Sequence, residues 1–180
     1  MPFDEDDIEG FEAKGSEGMK EIMRGLSEIC EDEEGDEGVA EACLDACLRM
    51  KSEEGVNAEL VASIPTLALT LEKFMDEATV IEVLFAVLTN VVTKSESQSS
   101  FGTESNVKNV IKAMDIHSEG EETLIEYACL LIESLALENE AARIFFIEAG
   151  AESRLKMAEN VITNVRNQKY VVAARAALKL

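Results

Sequence analysis

Chemistry in a protein needs side chains that attack, carry protons or hold a metal, and this sequence offers few of them. Its four cysteines are Cys30, Cys43, Cys47 and Cys129, and its one histidine is His117. No two cysteines have the CxxC spacing of a zinc or redox site. Cys43 and Cys47 stand one helical turn apart, a poor geometry for a disulfide, and a zinc ion would want more ligands nearby than the distant His117. The cysteines are expected to be small buried apolar side chains in a reducing compartment, with no metal and no cofactor. His117 follows Ile116 at a predicted helix end, where interaction with the helix dipole is a better use for it than general-base work. Carboxylates abound, yet pairs such as Glu121 and Glu122 are sequence neighbours in a polar turn. The acidic run EDEEGDEG (31–38) invites a calcium reading. An EF-hand loop needs acidic residues at positions 1, 3 and 5, Gly at 6 and Glu at 12. With Gly38 at position 6, Leu44 falls at 12; with Gly35 there, Cys30 falls at 1; with Gly10 there, Ser16 falls at 12. No register works, and the run reads as a solvated loop. GxGxxG, Walker, HExxH and GxSxG patterns are absent as well. The protein is expected not to be an enzyme and to have no catalytic residues.

Charge narrows the partners. The formal net charge is -21. Residues 1–60 hold 20 acidic and 5 basic side chains, net -15, whereas residues 142–180 hold 3 acidic and 7 basic, net +4. Most of the chain therefore repels nucleic acid and anionic membrane surfaces. The most apolar continuous stretch, YACLLIESLALENEAARIFFIEAG (127–150), is broken by Glu133, Glu138, Glu140 and Arg143 and is no spanning segment. MPFDEDDIEG lacks the basic and apolar regions of a secretory signal. Pro2 stands where myristoylation needs Gly, and AALKL is no prenylation box. The expected location is the cytoplasm.

The elements behind these residues are helices. The 180 residues are 47% hydrophobic, include only two prolines, Pro2 and Pro65, and alternate nowhere in the manner of a strand. Residues 1–15, acidic and aperiodic, read as a disordered or loosely docked tail, leaving 16–180 as the folded domain. SESQSSFGTES (95–105) reads as a Ser-rich loop. On a helical wheel of 122–137, Leu124, Ile125, Ala128, Cys129, Leu131, Ile132, Leu135 and Ala136 fill one arc, opposed by Glu122, Glu126 and Glu133. Ser118 and Glu121 resemble a capping box before that helix. Asn139 is placed to cap a second, shorter helix that Gly150 closes in left-handed backbone, and a third helix follows from Glu152.

This unit recurs. ACLLIESLA (128–136) aligns with LFAVLTNVV (84–92), CLDACLRMK (43–51) and VAARAALKL (172–180), with spacings of 41, 44 and 44 residues. Amphipathic segments at 19–26, 67–74, 107–114 and 154–161 precede the four copies. Such a period belongs to two- or three-helix solenoid repeats. ALENEAARIFFIEAGAE, between Ala/Leu-rich helices, resembles the armadillo repeat, with its "NLA…ENR…I…EAG" pattern followed by a helix of the "LV..L" type. HEAT repeats share the period; the turn from Asn139 to Gly150 favours armadillo. The resemblance spans about residues 16–180, is specific over 122–163 and is weakest over 95–106, where the Ser-rich stretch replaces a short helix. The fold expected is an all-α superhelix, an armadillo-like solenoid of about four repeats.

The resemblance implies a non-catalytic scaffold or adaptor whose concave face, lined by the third helix of each repeat, receives an extended peptide or partner protein. In the family an Asn on that helix grips the peptide backbone and a Trp one turn earlier stacks on its side chains. The Trp-like column here is Asp45, Ala86, Leu130 and Ala174, and the Asn-like column is Arg49, Asn90, Ser134 and Leu178. Only Asn90 keeps the family residue, which disfavours recognition of basic import signals. Independently, the wheel leaves Tyr127, Leu130 and Leu137 outside the core stripe. The expected partner-binding residues are Asn90, Tyr127, Leu130 and Ser134, with Arg175 and Lys179, one residue beyond the columns, as further contacts for acidic groups. Tyr170 and Val172 lie on nearly opposite sides of the last helix, so self-association or partner docking through it is expected. A different class of function, an acidic regulator loosely binding cations or basic proteins through tail and loops, is the alternative.

Overall fold

The computed structural model describes residues 3 and 5–180, residue 6 by its backbone alone. Every regular element among the described residues is a helix, and the twelve helices fall into four triplets. The first triplet is α1 (Glu5–Glu12), α2 (Gly15–Glu31) and α3 (Glu37–Met50); the second is α4 (Val56–Ala62), α5 (Ile64–Lys73) and α6 (Ala78–Val91). The third is α7 (Ser95–Phe101), α8 (Glu104–Ile116) and α9 (Glu122–Ala136); the fourth is α10 (Glu140–Glu148), α11 (Ala151–Val161) and α12 (Gln168–Leu178). Each triplet opens on a short helix of 7 to 9 residues. The aligned segments at 43–51, 84–92, 128–136 and 172–180 all fall on the third helices. The molecule divides into two compact units, Met1–Val87 and Leu88–Leu180.

In the first unit α2 packs against α1, α3, α4 and α5. Met19, Ile22, Met23, Leu26 and Ile29, spaced to one helical face, are its buried stripe. All four cysteines are free thiols. Cys47 Sγ lies 3.7 Å from both Met19 Sδ and Met23 Sδ inside this core. Burial pushes the Cys43 thiol up to about 12 and raises that of Cys47, so both stay protonated and behave as apolar side chains. The acidic stretch after α2 is a turn. Asp36 caps α3, accepting from the backbone N–H of Gly38 at 2.8 Å and of Val39 at 3.1 Å. Lys73 Nζ on α5 donates to the carbonyls of Asp32 (2.6 Å) and Glu33 (3.0 Å). Among the described residues no cluster of three or more His, Cys, Asp or Glu side chains is placed to hold a metal.

The N-terminal stretch departs from the expected tail. Residues 1, 2 and 4 lie outside the described residues, but Glu5–Glu12 is helical and packs on α2 and α3. Ile8 is buried, Phe11 stacks with Phe3 at 6.1 Å between centroids, Lys14 Nζ sits 4.5 Å from the Phe11 ring, and Glu12 pairs with Arg49. Two turns with one buried apolar side chain show too little periodicity to be read as a helix; docking supplies what the local pattern lacks.

The second unit is built around α9, which touches α7, α8, α10, α11 and α12. The core arc expected for it, from Leu124 to Ala136, is buried throughout. Asn139 accepts from Ala142 N at 3.1 Å and caps α10, and Gly150 adopts φ 87°, the left-handed conformation expected of it. Two local expectations are corrected. The capping box at Ser118 and Glu121 does not form: α9 begins at Glu122 with no capping side chain, because Gly120 at φ 96° turns the backbone out of helix just before it. The Ser-rich stretch holds α7 in place of a loop. Ser97 Oγ bonds to the backbone of Lys94 at its start, Phe101 is fully buried, and Asn106 Nδ2 donates to Phe101 O at 2.9 Å. Weak helix formers are held here by tertiary contacts.

Candidate partner-binding surface

Three of the six expected contact residues stand on α9. Tyr127, Leu130 and Ser134 are half-buried, and Leu137, one turn on, is 65% exposed. At 100° per residue these four share one face, opposite the buried arc. Ser134 is also a structural acceptor, since Gln98 Nε2 on α7 donates to its carbonyl at 2.8 Å. That carbonyl belongs to the last turn of α9, where the helix itself leaves acceptors open, so a side chain of α7 caps the end of α9.

The other end of α9 is fixed by carboxylates. Glu122 accepts from Thr163 Oγ1 at 2.8 Å and from Asn164 N at 3.0 Å, and Glu126 accepts from Asn167 Nδ2 at 2.6 Å. These bonds tie the segment between α11 and α12 to α9 and so set where α12 lies along it. The backbone bond from Asn164, then the Thr163 hydroxyl, hold the Glu122 carboxyl below its ordinary value. A lowered folded-state value means a contribution that is present above the ordinary Glu range and lost as pH falls through the folded value. Glu122→Gln is therefore expected to lower stability at neutral pH, with the difference from wild type shrinking in acid. Chemical denaturation at the two pH values checks this, and a difference that does not shrink in acid contradicts it.

Arg175 is on α12, which packs directly on α9, and Lys179 is the C-cap residue of α12. Arg175 is half-buried and donates to Glu159 on α11 at 2.9 Å, whereas Lys179 is exposed at φ 60°, closing the helix. Asn90 is exposed in the last turn of α6. Five of the six residues thus stand on two adjacent helices and Asn90 on another. The family columns continue differently into α12: Ala174 and Leu178 are buried, and one residue beyond them Arg175 is half-buried and Lys179 exposed. Elsewhere along the columns Asp45 is half-buried, Ala86 is buried and Arg49 pairs with Glu12. His117 is the C-cap residue of α8 and is buried. Gln98, Glu122 and Glu126 escaped sequence reasoning, because their importance depends on partners some 36 to 42 residues away.

No helix among the described residues is long and apolar enough to cross a membrane. No protein-family model matches the sequence, and no curated protein matches it. Among solved structures it is similar to a designed armadillo repeat protein in complex with the peptide (KR)4, at 16% sequence identity and a TM-score of 0.56, over 97% of this chain and 91% of that one. That likeness, the four helix triplets and the turn at Asn139–Gly150 agree: the protein has the armadillo-like α-solenoid fold.

Proposed function

We propose that the protein is a non-catalytic scaffold or adaptor that binds an extended peptide or a partner protein through the concave face of its repeats. Asn90, Tyr127, Leu130 and Ser134 are the main contact residues of this reading, and Arg175 and Lys179 are further contacts for acidic groups. The observation that carries this reading is the row on α9. A helix whose opposite face is completely buried keeps Tyr127, Leu130 and Leu137 partly or largely in water. Apolar side chains clustered in that way, with a tyrosine among them, favour contact with another protein.

The test compares capture of partners by the intact protein and by Tyr127→Ala/Leu130→Asp. Both side chains lie off the core arc, so the variant is expected to keep the helical signal and melting temperature of the wild type. Loss of a central aromatic–aliphatic pair weakens binding by about 2 kcal/mol or more, roughly thirtyfold. Partners captured equally well by both proteins would remove the groove reading.

A further inference from the structure

We propose that the exposed stripe of α12 receives an acidic segment with apolar side chains; this deepens, and rests on, the partner-binding reading above. Lys169, Val172 and Ala176 recur at i, i+3 and i+7, which places them on one side of the helix, and Lys179, the left-handed C-cap residue, follows at its end. Burial divides α12 along the same line: Val171, Ala174, Ala177 and Leu178 are in the core, while Val172 is 66% exposed and Lys169, Ala176 and Lys179 are exposed with it. The stripe is an apolar strip with an ammonium near each end. Lys169 Nζ rests 4.9 Å from the Tyr170 ring centroid, which orients the side chain without neutralising it. Arg175 beside the stripe already has its counter-charge in Glu159.

Charge selects the occupant. A protein of net charge -21 repels acidic partners nearly everywhere. Residues 142–180 invert that sign, at net +4, and the inversion includes the stripe around Val172. A basic segment would be drawn to the acidic remainder of the molecule and would meet like charge here. An acidic one is drawn to the C-terminal segment, where this stripe sets two exposed lysines beside an exposed valine. The two lysines are ten residues apart along the helix and its cap, about 15 Å. An extended peptide spans that distance in four to five residues, and residues two and four apart point the same way. The segment expected therefore carries an acidic residue, an apolar residue two positions on, and a second acidic residue two positions after that.

Fluorescence polarisation tests this with a labelled twelve-residue peptide of three Glu-Ser-Leu-Ser repeats, and with its counterpart carrying lysine for glutamate. The acidic peptide is expected to bind the full-length protein, more weakly as salt rises, and the basic one not to compete for that site. Lys169→Glu/Lys179→Glu, both exposed changes, is expected to weaken the acidic peptide about tenfold, and Val172→Ser to weaken it with the charges intact. Equal binding by wild type and charge-reversed protein overturns the proposal, as does displacement of the acidic peptide by the basic one. A concentration-dependent dimer in sedimentation that Val172→Ser abolishes, with peptide binding unchanged, assigns the stripe to a second copy and also overturns it. Tyr127→Ala/Leu130→Asp separates the two readings. Loss of capture in that variant with an inert α12 leaves the scaffold function standing without its acidic ligand.

Discussion

Gly18→Ala is expected to lower the unfolding free energy by about 2 kcal/mol and to release α1 from the first unit. A methyl group built at Gly18 would lie 1.8 Å from the carbonyl oxygen of Phe11 and 2.7 Å from its carbonyl carbon. Both are main-chain atoms in the last turn of α1, so no side-chain rotation relieves the overlap. The backbone must move, and the cheapest movement separates α1 from α2. What is then lost is the burial of Ile8 and the packing of Phe11 on Phe3. An apolar side chain of that size contributes about 1.5–3 kcal/mol, less the conformational entropy regained by two freed helical turns. Gly10→Ala supplies the contrast, because nothing lies within 4 Å of a methyl group there. Replacing an exposed helical glycine is expected to stabilise by about 0.5–1 kcal/mol. Denaturation curves of the two variants, with hydrogen exchange of the α1 amides, decide the matter. Wild-type stability and wild-type protection of α1 in Gly18→Ala would show that the helix is not docked as described.

The same close approach explains why the N-terminal helix is hard to read from sequence. A glycine in α2 bears no mark that a distant carbonyl needs its missing side chain. α1 has one buried apolar residue among acidic ones, a pattern that also fits an unstructured tail. By contrast, α9 and α10 are legible residue by residue. Their core arc, the Asn139 cap and the left-handed Gly150 each follow from side chains within one or two turns of where they act. Tyr127 and Leu130 are legible in the same sense: the wheel sets them outside the core arc, and the structure leaves them half-buried. The register of α12 is not. VVAARAALKL is so rich in alanine that several rotations bury a similar area. Packing on α9, together with the bonds from Asn164 and Asn167 to Glu122 and Glu126, decides that Ala174 goes in and Val172 stays out.

Phe101→Ala has the largest expected effect on the second unit, about 3–5 kcal/mol. The ring is fully buried at the C-terminal end of α7. Truncating it removes the transfer contribution and leaves a cavity between helices that cannot close fully. Seven residues that include four serines do not sustain a helix unaided, so α7 is expected to come away with the ring. The consequence reaches the partner surface. Once α7 leaves, Gln98 no longer donates to Ser134 O, and the last turn of α9 loses its cap. Phe101→Ala is thus expected to weaken partner capture as well as stability, although Phe101 itself is not exposed. Phe101→Leu, which keeps most of the apolar volume, is expected to cost much less. Ser99→Ala, an exposed change on the same helix, is expected to stay within about 0.5 kcal/mol of wild type. The ordering Phe101→Ala, then Phe101→Leu, then Ser99→Ala, read from denaturant midpoints, is the check. If Phe101→Ala costs less than about 1 kcal/mol, the serine-rich stretch is the loop that its composition describes, and Ser134 is held in place by something other than α7.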